Sequence, residues 1–139
     1  MTRRTGFPKK SPVQRTPVPE PSREAEEVTA RRIAENEAKV RAVNEEIEAT
    51  AQRVAPDALL IPFVCECGRL ECLAILRLSR NAYEEARTDA RWFICSPGHE
   101  LTEHGYERVI QKRDGFVIVE KQGDAAQVAE QLDPRSHGQ

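Results

Sequence analysis

Cysteine and histidine are the residues of this chain whose types and spacing can do chemistry. Three of its four cysteines fall in Cys65-Glu-Cys67-Gly-Arg-Leu-Glu-Cys72, and Cys95-Ser-Pro-Gly-His99 follows. On an extended strand, Cys65 and Cys67 point to the same face, because side-chain direction alternates with period two. Gly68 lets the chain reverse at once and frees backbone amides to hydrogen-bond the sulfurs. Cys72 then returns as a third thiolate. A closed zinc site needs four nitrogen or sulfur donors, so a fourth must exist. His99, after a Pro-Gly turn, sits where a loop can aim its ring. Cys95 ends the apolar run Trp92-Phe-Ile and suits a small buried hydrophobe, although an all-cysteine site would use it. The expected ligands are Cys65, Cys67, Cys72 and His99, with Zn2+ as the cofactor.

Two other chemistries compete for these residues. A switching disulfide among Cys65, Cys67 and Cys72, with Arg69 favouring a thiolate, would make a redox sensor. A one-residue spacer gives a strained ring, and no thioredoxin-like strand–helix pattern follows. A hydrolase could be drawn from Cys95 with His99, or His104 with Glu103, but nothing marks an oxyanion hole. Glu45-Glu46 and Glu84-Glu85 read as exposed helix faces. There is no P-loop, no G-x-G-x-x-G and no H-E-x-x-H, so no catalytic residue is expected.

The elements that must position the site come from a chain with little apolar material. Of 139 residues, 39% are hydrophobic, 5% aromatic and 32% charged, so the core is small and a metal would help hold it. Residues 22–55 read as one long helix: Ser22 offers an N-cap, no Gly or Pro interrupts the run to Val54, and Pro56 ends it. Ile33, Val40, Ile47 and Val54 recur every seven residues, whereas the matching positions Thr29, Asn36, Val43 and Thr50 are mostly polar. That narrow edge can lie on the chain's own domain, or form a coiled coil with a second copy or another protein through Ile33, Val40 and Ile47. Beyond Pro56 the reading is a strand over 59–67 and its return over 72–78. A helix capped by Ser79, a strand over Trp92–Cys95, a hairpin about Asp114-Gly115 and a last helix over 125–132 follow. The fold class is α+β, a long N-terminal helix followed by a small antiparallel-sheet domain over 56–132 carrying the zinc site.

The charge balance of −2 conceals an uneven distribution. Residues 1–21 hold five bases, a single acid at Glu20 and five of the nine prolines, and read as a disordered basic tail. Residues 133–139 read as a second disordered tail. The basic arm can neutralise phosphates, but the acidic body offers no basic face with interleaved aromatics, which argues against nucleic acid as the main partner. No apolar run is long enough to cross a bilayer, and no secretory signal is visible, so a cytoplasmic location with reduced thiols is expected.

Phe63-Val-Cys-Glu-Cys-Gly with Cys72, Leu78-Ser-Arg-Asn-Ala-Tyr-Glu, Pro97-Gly-His-Glu, Tyr106-Glu-Arg-Val-Ile and Phe116-Val-Ile-Val-Glu-Lys together resemble a family of small uncharacterised actinobacterial proteins. The resemblance runs over roughly residues 35–136 and includes Arg41-Ala-Val-Asn-Glu-Glu-Ile-Glu and Asp133-Pro-Arg-Ser. It implies Cys65, Cys67, Cys72 and His99 as ligands, with an apolar position at Cys95, and it brings no activity. The expected function is a non-enzymatic zinc-binding adaptor or regulatory protein with a structural metal. The alternative is a thiol or metal-status sensor with nucleic-acid-linked output.

Overall fold

A computed structural model describes residues 23–69, 71–102 and 105–135. The basic stretch 1–21, the Ser22 cap, His104 and residues 136–139 lie outside the described residues. In chain order the elements are α1 (Arg23–Val54), β1 (Ile61–Val64), β2 (Ile75–Leu78), α2 (Arg80–Ala86), β3 (Trp92–Cys95), β4 (Glu107–Arg113), β5 (Phe116–Lys121) and α3 (Gly123–Gln131). This is the expected α+β architecture, with one difference. The strands form two antiparallel sheets, β1-β2 and β3-β5-β4, where a single sheet was expected. The two meet where Glu66 N donates to Ile94 O at 2.8 Å.

Local chemistry sets most of the boundaries. Ser79 caps α2, its Oγ accepting from Ala82 N at 3.1 Å. The β4–β5 hairpin closes through Asp114-Gly115, but only Gly115 takes a positive φ (84°). The turn therefore places its left-handed requirement on the glycine alone, not on both residues as Asp-Gly pairs often do. Phe63 stacks on Tyr83 with centroids 4.1 Å apart, so the first hairpin and α2 share a core that also takes Leu76, Leu78, Phe93, Ile118 and Val119.

The largest departure from expectation lies in α1. The buried face is Ala30, Ala34, Glu37, Ala38, Arg41 and Asn44, while Ile33, Val40 and Ile47 flank it half-buried and Val54 is 73% exposed. Small alanines let α3 approach, with Ala34 packed on Ala125 and Val128. The polar members meet polar demands of the domain. Asn44 Oδ1 accepts from Val64 N at 2.8 Å and its Nδ2 donates to Val64 O at 2.9 Å. One amide side chain thus satisfies the β1 edge that faces away from β2. Lys121 Nζ donates to both Glu37 and Glu107 inside the protein, and the Arg41 guanidinium lies 3.6 Å from the Phe93 ring centroid. A partner edge at Ile33, Val40 and Ile47 is therefore partly occupied by the chain's own domain.

Residues 133–135 also differ from the expected tail. Asp133 is buried and pairs with Arg87, and Arg135 reaches Glu45 and Glu84 at 2.6 and 2.8 Å. Glu45 and Glu84 are consequently half-buried ion-pair partners instead of an open face. These guanidinium–carboxylate contacts tie Asp133 and Arg135 to α1 and α2.

Candidate metal centre

β1 delivers the first thiol. Its regular ladder ends at Val64, yet Cys65 N still donates to Ala74 O at 2.9 Å and the chain stays extended through Glu66. Alternation then does what the spacing required: Cys65 and Cys67 face one side, and Glu66 faces the other, into the domain. Glu66 accepts from Asn44 Nδ2 at 2.8 Å and from Ile94 N at 3.0 Å. It is fully buried, and burial raises its pKa against the pull of Arg41. The carboxylate clamps the Cys-x-Cys segment between α1 and β3.

Gly68 makes the reversal with φ 73°. A Cβ here would lie 2.8 Å from Glu37 Cγ and 3.2 Å from Ile33 Cγ2, so both conformation and space demand glycine. The turn closes with Cys72 N donating to Arg69 O at 3.1 Å. From the other sheet, β3 leads into a turn in which His99 N donates to Ser96 O at 2.9 Å and Gly98 takes φ 89°.

These paths bring Cys65, Cys67, Cys72 and His99 together, with one donor atom of each within 4.8 Å of all the others. His99 Nδ1 is 3.3 Å from Cys72 Sγ and 3.6 Å from Cys65 Sγ. A tetrahedral zinc ion, about 2.3 Å from sulfur and about 2.0 Å from nitrogen, sets sulfur–nitrogen edges of about 3.6 Å. The donor set fits in chemistry and in size: three soft thiolates and one imidazole suit a borderline-soft divalent ion. Bound there, such an ion would act as a cross-link between the Cys65–Cys72 loop and the Ser96–His99 turn.

Cys95 stays outside the donor set, as its apolar neighbours suggested, but it is more than filler. Its thiol hydrogen-bonds Cys65, and that contact, with Ser96 N at 3.1 Å from the Cys65 sulfur, brings the Cys65 thiol down to about 5. Burial pushes Cys67 up to about 12 despite a bond from the Arg69 amide, and Cys95 is held protonated as the donor to Cys65. One thiol is thus poised as an anion beside neutral neighbours, which limits charge repulsion before a metal binds.

Sequence reasoning missed Glu66, Asn44 and Cys95 as supports of the site. The signal for Glu66 was present: if its neighbours face the metal, an acid between them must face inward and find donors. Asn44 carried no such signal, since its partner lies 20 residues away across a helix–strand contact. No helix among the described residues is long and apolar enough to cross a membrane.

Fold and site together define a small α+β protein organised around a cluster of three cysteines and one histidine able to hold a metal ion. No family model, curated protein or solved structure matches the chain.

Proposed function

We propose that the protein is a non-enzymatic zinc-binding adaptor or regulatory protein of the cytoplasm, whose metal is structural. The observation that carries this reading is the convergence of four soft donors from two separate loops, backed by a buried clamp at Glu66. Three thiolates and the His99 imidazole hold the ion. Glu66 and Asn44 orient the Cys-x-Cys segment, and the Ser96 amide with the Cys95 thiol stabilises negative charge on Cys65. A closed set of four protein donors leaves no coordination position for substrate, which favours a structural over a catalytic metal.

The test is metal affinity by chelator competition in two variants. His99→Ala lowers affinity by at least about tenfold, because a ligand is lost, whereas Cys95→Ala lowers it by less. The reverse order would make Cys95 the fourth ligand. The sensor reading is favoured by one observation, the half-buried Cys72 beside Arg69, Glu71 and His99 at a surface cleft. Reversible loss of two thiols with metal release under mild oxidation would select it; unchanged thiol count selects the structural site.

A further inference from the structure

Most of the exposed apolar surface lies at the C-terminal half of α1 and on the first hairpin, and it reaches the metal loop only at Leu73, next to Cys72. A groove of about 430 Å3 runs between α1, at Val43, Ile47, Thr50 and Val54, and the hairpin, at Leu60 and Pro62. Alternation in β1 and β2 turns Ile61, Phe63, Leu76 and Leu78 inward, which leaves Pro62, Val64, Ile75 and Arg77 on the outer face. The register pairs Val64 with Ile75 and Pro62 with Arg77, so this outer face continues the groove toward Leu73.

Leu59 and Leu73 are each 86% exposed, Val54 73%, Leu60 55%, Ile75 53% and Val43 50%. Together these residues expose on the order of several hundred Å2 of mostly apolar surface, the scale of patches that mark protein contacts. Charge on the flanks points to the kind of partner. Glu46 borders the groove on the α1 side, and Arg77 stands on the β2 side with Pro62 between them. Both are exposed, and neither forms an ion pair among the described residues. A surface with an acid on one flank, a base on the other and apolar residues between is complementary to itself after a two-fold rotation.

We infer that this face is the contact of a two-fold homodimer, in which Arg77 of each copy meets Glu46 of the other across an apolar centre at Leu60 and Pro62. The partner is a second copy of this chain, joined through the C-terminal half of α1 and the first hairpin, not through the Ile33–Val40 edge. The inference does not depend on the metal.

Sedimentation equilibrium of the full chain tests it. The expected species is twice the 15.7 kDa chain mass. Glu46→Arg and Arg77→Glu alone each place like charges opposite one another and weaken the dimer by about tenfold, and the double variant restores it to within about threefold. Both residues are exposed, so circular dichroism and metal content remain as in the parent, which separates failure here from failure of the zinc reading. A chain that stays monomeric at about 100 μM, a dimer indifferent to both single reversals, or a double variant no tighter than the singles would overturn the inference.

Discussion

Two regions make up for the shortage of apolar core, and they do it differently. The metal cluster uses residues close in sequence, Cys65 to Cys72, joined to a single distant turn. The network under α1 uses Glu37, Lys121 and Glu107, whose members are 84 and 14 residues apart, with Arg41 and Asn44 in the same buried row. The first region would be stabilised by an ion held between its two loops. The second is built from the chain's own side chains, with Glu37 Oε2 and Arg41 Nε and Nη2 left without hydrogen-bond partners among the described residues, and its charges are costly to bury unless they are paired. The regions touch at Gly68, where the metal loop passes over Glu37.

Breaking the metal cluster has the largest expected effect. Cys67→Ser, or exhaustive chelation, removes the cross-link between the two sheets and costs several kcal/mol, read as loss of the cooperative thermal transition. Next comes Lys121→Met, which leaves Glu37 and Glu107 buried without their cation. Chemical denaturation should report a loss of about 3–5 kcal/mol with metal stoichiometry unchanged. A comparable loss of metal in that variant would show that the two regions are one. Gly68→Ala addresses their junction: a left-handed φ and a clash with Glu37 cost about 1–3 kcal/mol, and metal affinity falls in the same variant.

The last effect is graded with pH and is small over any single unit. Burial pushes Glu37 up to about 8 from 4.5, with the Glu107 and Glu66 carboxylates adding to the rise and the Lys121 ammonium opposing it. Between pH 4.5 and 8 the folded chain holds a proton that the unfolded chain has released. This contribution is full at the acid end and is lost as pH rises through 8. Glu37→Gln removes the slope, so the variant gains on its parent by up to about 1 kcal/mol per pH unit in that window. Parallel denaturation curves at pH 5, 6, 7 and 8 check it.

How much could be read beforehand follows the same division. The donor set was legible because thiols and an imidazole have few other reasons to share such spacing, and strand parity aims two of them together. The Ser79 cap, the Trp92–Cys95 strand and the hairpin at Gly115 were legible because their causes are local. The buried face of α1 was not. Counting apolar residues at sevens selected Ile33, Val40, Ile47 and Val54, whereas Ala30, Ala34, Glu37, Arg41 and Asn44 face the domain. Nothing near Glu37 in sequence announces Lys121. Nor could the split into two sheets be read, since it goes with Asn44 capping the β1 edge at Val64 and the Glu66 carboxylate taking Ile94 N of β3.

Elemental analysis of the purified full chain, paired with its native mass before and after chelation, tests the central claim most directly. One zinc ion per chain is expected, none in Cys67→Ser, and loss of folded structure when the metal is withdrawn. A folded, metal-free chain that ignores the chelator would contradict it.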